Sequence, residues 1–155
     1  MSTLNRGVAV SGLISALQTI DGTGTFTYDL SGSGQVVEGR TVGPPKSSAE
    51  IKPRGWVWSS RRTESSRDRA IGADLSHYGQ RMEITAVIFA RHVRDSTGAT
   101  EGANLEADIV KALHADRNLG GAVIDLEVDS EVIASADLLG WVCVFADVRV
   151  YWRRL

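Results

Sequence analysis

The sequence predicts an α+β fold: an antiparallel or mixed β-sheet flanked by two α-helices, with a long loop insertion. Three observations carry this. Two stretches repeat apolar residues at the helical period, several others alternate at the period of a strand, and the segments run in the order α, β, β, β, α, β, β, so strands outnumber helices. The 155 residues are expected to form one domain, residues 1–155, with long loops at about 31–53 and 59–79.

The first helix is expected over residues 3–20, where Val10, Leu13, Ile14 and Leu17 make one apolar stripe and Ser2 or Thr3 is placed to cap the start. Gly7 and Gly12 weaken it, each by about 1 kcal/mol relative to alanine, and Asp21-Gly22 stops it. In TFTYDL, Phe26, Tyr28 and Leu30 alternate with Thr25, Thr27 and Asp29, which predicts a half-buried strand. Residues 31–52 are rich in glycine, serine and proline and predict a strand end followed by a long loop.

GWVWSS predicts a second strand with Trp56 and Trp58 on one face; the arginine-rich stretch after it predicts a loop to residue 79. A loop of that length in a compact domain is functional or disordered as a rule. RMEITAVIFARHV predicts a strand with both faces apolar in its middle, so that something covers each side. The second helix is expected at 101–115, with acids early and Lys111 and His114 late, as the helix dipole favours, and with Asn118-Leu119-Gly120-Gly121 as its stop. AVIDLEV, with Ala122, Ile124, Leu126 and Val128 inward, a short segment at 131–135 and a long strand over 141–152 complete the chain.

Composition excludes some classes of function. A net charge of -2 gives no long-range field to draw in nucleic acid or an anionic membrane, so any such attraction is local. No run of residues approaches the length of an apolar membrane span, and the start lacks the pattern of a secretory signal, so no membrane partner is expected and the chain is expected in the cytoplasm. The one cysteine, Cys143, sits among Val142, Val144 and Phe145 and reads as a buried small hydrophobe.

The chemistry-bearing residues form no catalytic pattern, and the sequence reads as a non-enzyme without cofactor or metal. His77, His92 and His114 fall in different elements at no ligand spacing. DGTGTF follows a helix and enters a strand, the reverse of a phosphate-binding glycine loop, so the turn reading is preferred there and at SGSGQV. Asp125, Glu127 and Asp129 alternate on one strand face; a divalent cation is one reading, and the wet face of an edge strand is the preferred one. Trp56 and Trp58 stand near Arg54, Arg61 and Arg62 and would suit base stacking, although core or subunit contact is the preferred role for large aromatics on strands.

EADIVKALHADRNLGGAVIDLEVDSEV, followed after a connector by GWVCVFADVRVYWRR, resembles the ending of tail terminator and tail completion proteins of tailed bacteriophages. The shared pattern is a helix and small turn, a strand with alternating acids, and a last strand ending in aromatic and basic residues, here Tyr151, Trp152, Arg153 and Arg154. The opening helix and the strand at 80–93 extend the likeness over most of the chain; residues 31–79 match nothing in it. The resemblance implies a structural virion protein at the head-tail junction, assembled in the host cytoplasm. It implies a homo-oligomeric ring, a hexamer, that caps the tail tube, ends its polymerisation and docks a head-side connector or stopper protein. Its partners would be itself, the major tail tube protein and that connector, with transient contact to genomic DNA in the bore.

Two other readings stay open. One is another neck component, a head-completion adaptor or minor tail protein; the other is a nucleic-acid-binding module built on residues 54–94, which hold eight arginines against four acids. The candidate assembly or lumen contacts are Arg61, Arg62, Arg67 and Arg69, with Trp56, Trp58, Arg153 and Arg154.

Overall fold

The computed structural model describes residues 6–39, 52–69, 78–91, 98–134 and 140–154, the side chains of 61–69, 78–80 and 152–154 excepted. Two helices, α1 (Arg6–Leu17) and α2 (Ala99–Ala115), accompany five strands: β1 (Val36–Glu38), β2 (Arg54–Arg69), β3 (Tyr78–Arg91), β4 (Asp125–Ala134) and β5 (Trp141–Arg154). All five strands join one sheet in the order β1-β2-β3-β5-β4. β1 runs parallel to β2, and every other pair is antiparallel, so the sheet is mixed. The fold is α+β.

Both helices lie on the same face of the sheet. Ala9, Val10, Leu13, Ala16 and Leu17 of α1 and Leu105, Ile109, Ala112 and Leu113 of α2 share one core with Val57, the even-numbered residues of β3 from Met82 to Ala90, and Val142 to Val150 of β5. The period-two alternation of β3 and β5 sends their odd-numbered residues to the other face. There Val87, Phe89, Trp141 and Cys143 are buried, with Trp56, Trp58, Ile133 and Phe145 packed against them. Both apolar faces of β3 are thus buried, one beneath the helices and the other within an aromatic cluster.

Two glycines set how closely the layers approach. A Cβ on Gly102 would stand 2.8 Å from Val142 Cγ2 and closer still to Val132 Cγ1, so α2 rests directly on β4 and β5 there. On Gly12 it would meet Leu119 Cβ at 3.1 Å. The glycine that weakens α1 as a helix makes room for the turn after α2, where Leu119 takes a positive φ of 50°.

Three expectations are corrected. Residues 25–30 form no strand: only an isolated bridge joins Asp21 and Asp29. Phe26, Tyr28 and Leu30 do face the core, as the alternation implied. Their backbone is held by a side chain instead of a neighbouring strand, because the N–H groups of Thr27 and Tyr28 donate to Asp108 Oδ2 at 2.9 and 2.8 Å.

The expected loop at 59–79 is strand over much of its length, since β2 continues to Arg69 and β3 begins at Tyr78; residues 70–77 lie outside the described residues. SSRRTESSRDR carries no apolar period of its own and is held as a strand by its antiparallel backbone ladder with β3. Within the other expected loop, 31–53, Val36–Glu38 forms β1, and residues 40–51 lie outside the described residues. Gln35 anchors that edge, its Nε2 donating to the carbonyls of Asp29 and Pro53 at 2.9 and 2.8 Å while its Oε1 accepts from Gly32 N–H at 2.7 Å.

The third correction concerns β4, which is one strand across 125–134 instead of two segments. Leu126 is buried as expected, but Ile124 precedes the strand and is 54% exposed.

Candidate functional site

The helix-free face divides into an apolar end and a charged end. At the apolar end the Trp56 ring meets Phe89 edge-on, with centroids 5.8 Å apart, and the Arg91 guanidinium lies 5.6 Å from the Trp141 ring centroid. Cys143 sits in this cluster, and burial pushes its thiol up to about 12, so the nucleophilic thiolate is suppressed. Trp56 and Trp58 are half-buried and packed against this cluster.

The charged end is a set of cross-strand rows. Register places Arg61 of β2 opposite Glu83 of β3, Glu83 opposite Arg149 of β5, and Arg149 opposite Glu127 of β4. One row thus crosses four strands as plus, minus, plus, minus. The bulge between Ser59 and Arg61 sets this alignment, and Ser60 Oγ donates to the Glu83 carbonyl at 3.1 Å beside it. Neighbouring rows carry Thr85 Oγ1 donating to Asp147 Oδ1 at 3.0 Å, and Tyr151 OH donating to Glu127 Oε2 at 3.0 Å.

The alternating acids of β4 are held by basic partners. Arg149 bonds Asp129 and stands 3.9 Å from Glu127; Arg117 bonds Asp125 at 2.8 Å. Asp125 is lowered from the usual carboxylate value, first by its hydrogen bond from Arg117 and then by the backbone N–H of Leu126. The bond to Asp125 in turn raises Arg117, and Asp129 raises Arg149. Among the described residues, no three His, Cys, Asp or Glu side chains group as a metal site. Of the histidines, His114 is exposed on α2, and His77 and His92 lie outside the described residues.

The eight candidate contacts do not form one patch. Arg69 and Arg154 stand opposite Tyr78 on its two sides, and Arg153 stands opposite Gly79, so residues 84 or more positions apart in the chain meet at one end of the sheet. Arg62 pairs with Met82, and Arg67 falls in the irregular stretch between Glu64 and Arg69. Trp56 and Trp58 belong to the other end; at roughly 3.3 Å per residue, Trp56 is roughly 40 Å along β2 from Arg69.

Sequence reasoning missed Arg149, Tyr151, Arg117 and Asp147, the partners that organise the charged end. A signal was present: β4 and β5 carry opposite charges at positions of like parity, Glu127 and Asp129 against Arg149, as paired antiparallel strands favour.

What the fold and this surface define is a mixed-sheet α+β protein with both helices on one face and a cross-strand charge ladder on the other. Compared with known proteins, the sequence matches no family model and no curated protein.

Proposed function

We propose that this chain is a structural virion protein whose copies join in a ring, a hexamer, at the end of a phage tail tube. The ring caps the tube, ends its polymerisation and presents a docking surface to a head-side connector or stopper protein, and the genome passes through its bore. Its place is the head-tail junction of the virion, after assembly in the host cytoplasm. No catalytic step is assigned to it.

One observation beyond the sequence resemblance supports this reading most: β4 at one edge of the sheet and β2, which β1 flanks only at Gly55 to Val57, are unlike. β4 carries Asp125, Glu127, Asp129 and Glu131 and no basic residue, whereas β2 carries five arginines against Glu64 and Asp68. A closed ring is built from heterologous contacts, which require two different and mutually complementary surfaces on each subunit. The polar groups of the helix-free face are also engaged with one another, as in Thr85–Asp147 and Arg149–Asp129, which suits a contact surface better than a reaction centre.

Negative-stain microscopy and light scattering of the purified protein, alone and mixed with tail tube protein, test the proposal. Six-fold rings, or capped tube ends, are the expected result. A chain that stays monomeric and leaves tube ends growing sinks it, and binding to a connector without tube capping would favour the neck-adaptor reading.

A further inference from the structure

We infer that copies of this chain join edge to edge, the acidic β4 of one against the arginine-bearing outer edge of β2 in the next, with Glu127 facing Arg61 of the neighbouring copy. The inference deepens the proposed ring and rests on it for closure.

Three features of the sheet carry this. The first is the charge row itself: Arg61, Glu83, Arg149 and Glu127 alternate in sign across four strands and end with opposite signs at the two edges. Placing one sheet beside the next continues the alternation without a break. Glu127 and Asp129 are well placed for a further partner, with side chains 57% and 70% exposed although each already touches Arg149.

The second feature is strand direction. β2 opposes β3, β3 opposes β5 and β5 opposes β4, so β4 runs antiparallel to β2. Two copies in the same orientation would therefore meet in the antiparallel arrangement, the commoner strand pairing.

The third is where room exists. β1 flanks β2 only at Gly55, Trp56 and Val57. Among the described residues no strand flanks β2 from Ser59 onward, which spans the rows of Glu83 and Arg81. On β5 those rows hold Arg149 and Tyr151, and on β4 they end at Glu127 and Asp125. The stretch of β2 left open by β1 thus lies level with the acidic half of β4. The outer edge of β4 has no strand beside it among the described residues either. An open strand edge is a template for pairing, and the charges here select the partner: like edges repel, unlike edges attract.

The test exchanges charge between the two edges and reads assembly by sedimentation velocity and microscopy. R61E and E127R, each alone, present like charges at every contact, and each should weaken self-association about tenfold or more. A one-to-one mixture of the two should recover assembly, because alternating copies place opposite charges at every contact. Circular dichroism verifies that each variant is folded. The unaltered protein supplies a second measurement that needs no variant: its association should weaken as salt rises past about 0.15 M, where the Debye length is about 8 Å.

If either single variant assembles as the unaltered protein does, if the mixture fails to recover, or if assembly is indifferent to salt, the edge contact is overturned while the ring stands. Charge-dependent assembly into open chains upholds the edge contact and overturns the ring. An unaltered protein that remains monomeric at every concentration, alone and with tail tube protein, and leaves tube ends growing overturns both.

Discussion

Asp108 of α2 holds the backbone of Tyr28, eighty residues earlier in the chain, by accepting its N–H at 2.8 Å, and it accepts the N–H of Thr27 at 2.9 Å as well. Asp108 is 3% exposed, and its carboxylate takes the place of the strand that the alternation of TFTYDL would otherwise demand. Tyr28 strengthens the attachment by donating its hydroxyl to the Glu101 carbonyl at 3.1 Å. Replacing Asp108 with alanine strands two inward-facing N–H groups, each costing about 1–3 kcal/mol. D108A should lose about 3 kcal/mol, a fall in melting temperature of about 6–12 °C for a chain this size. Hydrogen exchange supplies the local signature: the amides of Thr27 and Tyr28 should lose protection well before those of β3.

Gly102 makes a second prediction, opposite in sign to helix propensity. Alanine there should favour the helix by about 1 kcal/mol in isolation. In the fold its methyl would press on Val132 and Val142, and overpacking of this kind costs about 1–3 kcal/mol. G102A should therefore be destabilised on thermal or urea unfolding. V132A removes the nearer obstacle, so the double variant G102A/V132A should be more stable than the sum of the two single effects, a coupling that a double-mutant cycle measures.

Alkaline pH should unfold the protein through two named groups. Burial raises Cys143 from 9.0 to about 12, and burial with the nearby Glu101 and Asp108 raises Tyr28 from 10.0 to about 12. A group whose folded value is raised contributes stability that is complete below its unfolded value and vanishes as pH climbs through the folded one. Stability should accordingly hold to about pH 9 and fall toward pH 12, as the unfolded chain releases protons that the folded chain retains. C143A and Y28F should each flatten that slope in urea titrations at stepped pH. Thiol reagents near neutrality should react with unaltered Cys143 only on unfolding.

How far the sequence revealed these features depended on whether one strand or several had to be known. α2, β3 and β5 were legible because each carries its own apolar period, from Leu105 to Leu113, Met82 to Ala90 and Val142 to Val150. β1 was hidden because three residues show no period and its parallel partner is distant in the chain. The outer half of β2 was hidden because its polar residues form a strand through β3 and not through a hydrophobic face of their own. The charge row was the least legible feature. Its members come from β2, β3, β5 and β4, and a one-residue slip at the Ser60 bulge would take Arg61 out of the Glu83 row.

The four arginines of SSRRTESSRDRA divide into two pairs with different expected roles. Arg61 stands in the row of Glu83, and Arg62 in the row of Met82, where Met82, Val150 and Leu126 are buried. Arg67 and Arg69 lie beyond Gln80, past that row, and Arg69 shares Tyr78 with Arg154. Positions 67 and 69 are thus set away from that row along the strand, and substitutions away from cores change stability by about 0.5 kcal/mol or less each. R67S/R69S should melt within about 4 °C of the unaltered protein; on the proposed ring reading it should still assemble while losing the ability to seat on tail tube ends. R61S/R62S should instead impair ring formation itself, because it removes the positive end of the charge row. Microscopy of each double variant with and without tube protein separates the two outcomes: free rings that ignore tubes in the first case, and dispersed subunits in the second.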